Sequence, residues 1–161
     1  MIFNLVILAL VTLERLAELW LSNRNTRRLL LRGAHEHAPG HYPLIVALHG
    51  AWLAILWWLA PERPIQPFWL ALFFLIELVR LWVLATLGER WTTRIIVIPG
   101  APLVSAGPYR FTNHPNYLVV VAEILVLPLV FGLWRTALVF TLLNAALLAI
   151  RIRQENRALG R

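Results

Sequence analysis

The hydrophobic positions of this chain fall into five long runs separated by polar segments. Each run approaches the roughly 17–25 apolar residues needed to cross a bilayer as a helix. The first covers residues 2–21. It has neither a basic start nor a small-residue cleavage site, so it is expected to be retained as a helix rather than removed as a signal. The second covers residues 42–60 and is closed by Pro61; the third covers 67–87 and is closed by Gly88. A Gly- and Pro-rich polar segment follows over 89–113. The fourth run starts at Pro115 and ends near Gly132. The fifth covers about 135–150 and continues as a polar helical tail. Gly132 leaves room for a short turn only, which predicts an antiparallel hairpin from the last two runs. The pattern predicts an all-α integral membrane bundle of about five transmembrane helices, forming one domain over 1–161. Residues 1–87 supply three helices, and 88–161 supply a loop, the hairpin and a tail.

Composition sharpens the class. Of 161 residues 60% are hydrophobic and only 14% charged, well below the quarter typical of soluble domains. There is no cysteine, which excludes disulfides, thiolate nucleophiles and cysteine metal sites. All 15 basic residues are Arg and all 8 acidic ones Glu, for a net charge of +7. Because the arginines lie between apolar runs, the expected partners are membrane lipid phosphates rather than nucleic acid.

Arginine placement predicts orientation. Arg24, Arg27, Arg28 and Arg32 follow the first run, Arg90, Arg94 and Arg110 the third, and Arg151, Arg153, Arg157 and Arg161 the fifth. The other side has only Arg63 and Arg135. The positive-inside rule then puts the N-terminus outside and the C-terminus in the cytoplasm, most naturally in a bacterial plasma (inner) membrane.

Ionisable residues inside the runs are expected to be paired or functional. Glu77 and Arg80 stand at i, i+3, as do Arg15 and Glu18, and these pairs are expected to neutralise one another. Glu123 needs a partner from another helix, Arg80 or Arg15. His49 is expected to pack between helices. Trp20, Trp57, Trp58 and Trp134 read as an interfacial belt. The His35-Glu36-His37 cluster reads as solvated loop surface, and no metal site is expected.

The most informative stretch is Gly107-Pro108-Tyr109-Arg110-Phe111-Thr112-Asn113-His114-Pro115-Asn116-Tyr117. After it come the hairpin and then Arg151-Ile152-Arg153-Gln154-Glu155-Asn156. Together they resemble the isoprenylcysteine carboxyl methyltransferase family, in which a GPYR…RHPxY segment leads into a helical hairpin and an RxxxEE segment. The resemblance covers about residues 88–159, the family's cofactor-binding half. Asn113 stands where the family usually has Arg, and Asn156 where it has a second Glu. The front half is similar to a small bacterial subgroup associated with alkylpyrone or phenolic lipid methylation. The resemblance implies methyl transfer from S-adenosyl-L-methionine to a carboxylate, enol or phenol oxygen of a lipophilic acceptor.

Local geometry bears on the roles. Pro115 suits the first helical position, which makes His114 the N-cap. The helix N-terminus then offers free N–H groups and a positive dipole to a carboxylate. Tyr117 falls one turn in. At about 100° per residue Asn144, Arg151 and Glu155 share one face of the last helix, while Arg153 points away. The expected cofactor residues are His114, Pro115, Tyr117, Asn144 and Glu155; the expected catalytic residues are Arg151, Glu155 and Arg110. Two other readings remain: a membrane reductase using NADPH, related to sterol reductases, and a non-enzymatic membrane accessory protein.

Overall fold

The computed structural model describes residues 1–160; Arg161 lies outside the described residues. Five long helices carry the fold: α1 (Ile2–Leu31), α2 (Tyr42–Leu59), α3 (Pro67–Leu87), α4 (Pro115–Val130) and α5 (Trp134–Leu159). The all-α membrane bundle expected from the apolar runs is what is seen. Three helical segments, Pro39–Leu59, Pro67–Arg90 and Trp134–Leu159, are by themselves long and apolar enough to cross a membrane. Helix α1 is long but carries Glu14, Arg15 and Glu18. Helix α4 has 16 residues, about 24 Å at 1.5 Å per residue.

The helix ends follow from sequence. Proline occupies the first turn of α2, α3 and α4, where its missing N–H is not needed. Gly132, at φ +67°, makes the left-handed turn between α4 and α5. The end of the bundle away from the 88–113 segment holds an apolar core of Leu8 and Val11 from α1, Trp52 and Leu56 from α2, Phe73 from α3, Leu127 from α4 and Phe140 from α5. Asn4 ties α1 to that end by donating to the Ala60 and Arg63 carbonyls, at 2.7 and 2.8 Å.

Three features depart from the sequence reading. First, α1 does not stop near residue 21 but continues ten residues further. Its polar inner face finds partners there. Ser22 accepts from the Thr93 amide at 2.8 Å, and Asn25 donates to the Trp91 carbonyl at 2.9 Å. Second, the His35 cluster is not free loop: His35–Glu36 (β1) pairs antiparallel with Ile96–Val97 (β2), and Glu36 accepts from Arg94 at 3.1 Å. Third, Arg80 does not pair with Glu77. It crosses to Glu18 on α1 and to Glu123 on α4, at 2.9 Å to both oxygens of the latter. Arg15 reaches Glu18 at 3.0 Å and Glu123 at 3.2 Å. The anticipated partners of Glu123 are therefore both present. His49 bonds the Ile45 carbonyl of its own helix, at 2.8 Å, rather than a neighbouring helix. Trp58 and Trp134 are exposed at helix ends, Trp20 is exposed eleven residues before the end of α1, and Trp57 donates from its indole to Thr12 on α1 at 3.0 Å.

Candidate active site

Where α3 and α5 end and α4 begins, on the same side as the α1 extension, they and the 88–113 segment enclose a cavity of about 450 Å³. That is within the size range of small-molecule sites. Its floor is the start of α4 and the last turns of α5; its wall is the segment running from Arg90 to Val104. The wall is anchored at two points. Asn25 and Ser22 of α1 hold the backbone of residues 88–93, and Arg90 Nη1 donates to the Pro102 carbonyl at 2.8 Å. Trp91, 2% exposed, donates from Nε1 to Asn116 Oδ1 at 3.2 Å, joining wall to floor.

The floor is a connected set of side chains. Arg151 Nε donates to the Tyr117 hydroxyl at 2.8 Å, and that hydroxyl donates to Glu155 Oε2. Arg151 and Glu155 stand one turn apart on α5, so a single phenol from α4 bridges both. The His114 ring stacks on Tyr117, with centroids 5.4 Å apart and planes 18° apart. Its Nε2 is 3.1 Å from Asn156 Oδ1, and its Nδ1 is 4.0 Å from Glu155 Oε2. The bridge spends only Nε of Arg151. Among the described residues its two terminal nitrogens make no hydrogen bond, and the residue lines the cavity. A buried planar pair of donors is thereby presented to whatever enters.

One titratable group outside the spans responds to the cavity. Tyr109 is pushed up, first by burial and then by the Glu155 carboxylate, so its hydroxyl keeps its proton and remains a donor.

Of the residues singled out from sequence, His114, Tyr117, Arg151 and Glu155 come together on the cavity floor. His114 is the N-cap of α4 and Pro115 its first residue. Pro115 is buried but off the lining. Asn144 is also buried, two turns deeper on α5 and outside the cavity. Arg110 lies apart: the 3-10 turn Gly107–Arg110 sends Tyr109 inward and leaves Arg110 exposed, its guanidinium 4.9 Å over the Phe111 ring. Arg153 is exposed on the opposite face of α5 from buried Arg151. Sequence reasoning passed over Asn156 as a bare departure, although it is the partner of His114. It also passed over Arg90, Trp91 and Arg94, which build the wall. Only the register of β1 with β2 could have flagged Arg94, and two-residue strands give no periodic signal.

The donor set suits S-adenosyl-L-methionine. At the start of α4, Pro115 has no N–H and the Tyr117 and Leu118 amides bond the His114 carbonyl, so the Asn116 amide and the His114 ring are what the cap offers to a carboxylate. Glu155 offers a carboxylate to an ammonium or to hydroxyls, and apolar Leu29, Leu87 and Ile95 offer a surface to an aromatic base.

The family description "Isoprenylcysteine carboxyl methyltransferase (ICMT) family" matches residues 69–161. The uncharacterized protein YpbQ of Bacillus subtilis (strain 168) is 37% identical, across 96% of this chain and 95% of that one. An uncharacterized protein of Haemophilus influenzae is 25% identical, across 99% and 96%. No solved structure matches.

Proposed function

The chain belongs to the isoprenylcysteine carboxyl methyltransferase family of membrane methyltransferases, and from that premise we propose that it methylates an oxygen of a lipophilic acceptor with S-adenosyl-L-methionine. The observation that carries the reading is the Arg151–Tyr117–Glu155 bridge at the mouth of the α4–α5 hairpin, with His114 stacked beside it.

The cofactor, when bound, supplies a methyl group already activated by its sulfonium. The chain's part is to bind, align and exclude water. His114 and the free Asn116 amide at the start of α4 would hold the carboxylate end of the cofactor, and Glu155 its ammonium or hydroxyls. Arg151 would turn its two free donors to an anionic acceptor oxygen, a carboxylate or an acidic enol or phenol such as that of an alkylpyrone. Such an oxygen needs no strong base, which fits a floor without an acid–base dyad beyond the bridge itself. Tyr117 keeps Arg151 in one rotamer by holding Nε. The apolar bundle beside the cavity suits an acceptor drawn from the bilayer.

The test is calorimetry on detergent-purified protein. S-adenosyl-L-methionine is expected to bind, and to bind more weakly in Glu155→Gln and His114→Ala with helicity unchanged. Binding of NADPH in its place, or unaltered affinity in both variants, would overturn the reading.

A further inference from the structure

The last twelve residues of α1 have two faces with different jobs. The inner face carries Ser22, Asn25 and Leu29, all buried, and clamps residues 88–93. The outer face, at i, i+4, i+7 and i+11 from Trp20, carries Trp20, Arg24, Arg27 and Leu31. Trp20 is 64% and Leu31 89% exposed, and both arginines are exposed as well. The Arg24 guanidinium lies 5.6 Å over the Trp20 ring. The neighbouring arginines are already occupied: Arg28 and Arg32 both bind Glu89, at 3.1 and 2.9 Å. Arg24 and Arg27 have no carboxylate within ion-pair distance among the described residues. The stripe is thus two uncompensated guanidiniums between an exposed indole and an exposed leucine, at the end of a helix that enters the membrane bundle.

We infer that this stripe is a binding surface for anionic phospholipid headgroups of the same bilayer, and that their phosphates brace the cavity wall through α1. The chemistry is complementary at each position. Guanidinium forks donate to phosphate oxygens, and Trp and Leu sit where headgroups meet acyl chains. The inner face then carries the restraint to the wall, because Asn25 and Ser22 bind the stretch that holds Arg90 and Trp91 over the cavity. Arg24 and Arg27 touch nothing in the cavity, so the surface is separate from the site proposed above and does not depend on its cofactor.

The experiment reconstitutes the full chain in bilayers of phosphatidylcholine alone or mixed with phosphatidylglycerol, each lipid brominated in turn. Quenching at Trp20 is read as the difference between the wild type and Trp20→Phe. The relative affinity for the anionic lipid is expected to fall about fivefold for each arginine neutralised in Arg24→Gln and Arg27→Gln. Arg24→Lys with Arg27→Lys should retain it, since headgroup phosphate accepts either cation. The thermal midpoint of the wild type should rise with phosphatidylglycerol, and that rise should vanish in the double Gln variant and in high salt. Equal quenching by both lipids in the wild type, which would point to an acidic protein as the occupant, overturns the inference. So does an anionic preference that survives the double Gln change.

Discussion

At the scale of single residues, Arg151 and Arg153 carry the sharpest contrast. They have the same chemistry, the same depth and two residues of separation, yet one is buried at the bridge and the other exposed. Arg151→Lys keeps the charge but loses Nε and the planar fork, so both the Tyr117 contact and the paired donors disappear. It is expected to reduce kcat/KM in a methyl-transfer assay with labelled cofactor and an alkylpyrone or lipid-extract acceptor. Arg151→Ala should lose on the order of 2–5 kcal/mol, the range for removing one partner of a buried charged contact. Arg153→Lys should be near silent at matched protein level. An equal loss in the two lysine variants would mean that the wrong helix face had been chosen. The face itself was readable from a 100° step. The Tyr117 bridge was not, because it joins residues 34 positions apart. Arg110 shows the opposite failure: its neighbours form a motif, but a 3-10 turn sends adjacent side chains in different directions, and sequence spacing assumes an α-helical step.

At the scale of elements, hydropathy found α3 to the residue and missed a third of α1. Apolar runs mark where lipid or core lies, and α1 leaves both at residue 21 while its helix continues on polar contacts with the 88–93 segment. The same blindness affected the intramembrane charges. An i, i+3 pair on one helix is worth only tenths of a kcal/mol, whereas Arg80 gains a fork to Glu18 and both oxygens of Glu123 by crossing to two other helices. Arg80 therefore joins α1, α3 and α4 at one point. Replacing it with Met leaves two buried carboxylates short of a cation, and destabilisation of about 3–5 kcal/mol is expected. Glu77→Gln should shift the thermal midpoint in detergent far less, because Glu77 meets Arg15 only at 4.0 Å. A larger loss at Glu77 would move the centre of the network away from Arg80. Gly107 offers a second check at this scale. At φ +56° a Cβ would collide with Thr86 Oγ1, so Gly107→Ala should push the Tyr109 turn off α3 and weaken cofactor binding. Gly40→Ala, with nothing within 4 Å, should not.

For the whole molecule, the asymmetry of the arginines and the position of the cavity make one joint claim. The cavity, the α1 stripe, Arg90, Arg94, Arg151 and Arg157 all lie at one end of the bundle, while the other end has Arg63 and Arg135 beside an apolar core. From the positive-inside rule we propose that the cavity end faces the cytoplasm, where the proposed water-soluble cofactor would enter. With α1 and α4 counted as crossings, that proposal puts the N-terminus outside and the C-terminus inside. The absence of cysteine makes the test clean, since each introduced thiol is the sole thiol of the chain. Cysteines at Glu62 and at Trp134, on the opposite end from the cavity, should react in intact cells with a charged maleimide that does not cross the membrane. Cysteines at His37, Leu103 and Arg157 should react only after permeabilisation. Saturating S-adenosyl-L-methionine should slow labelling at Leu103, a wall residue, and leave Arg157 unchanged. If Leu103 labelled from outside, the cavity would open away from the cytosol, and the orientation and the cofactor assignment would fall together. Labelling of Glu62 and His37 from the same side would reject only the crossing of α2 between them.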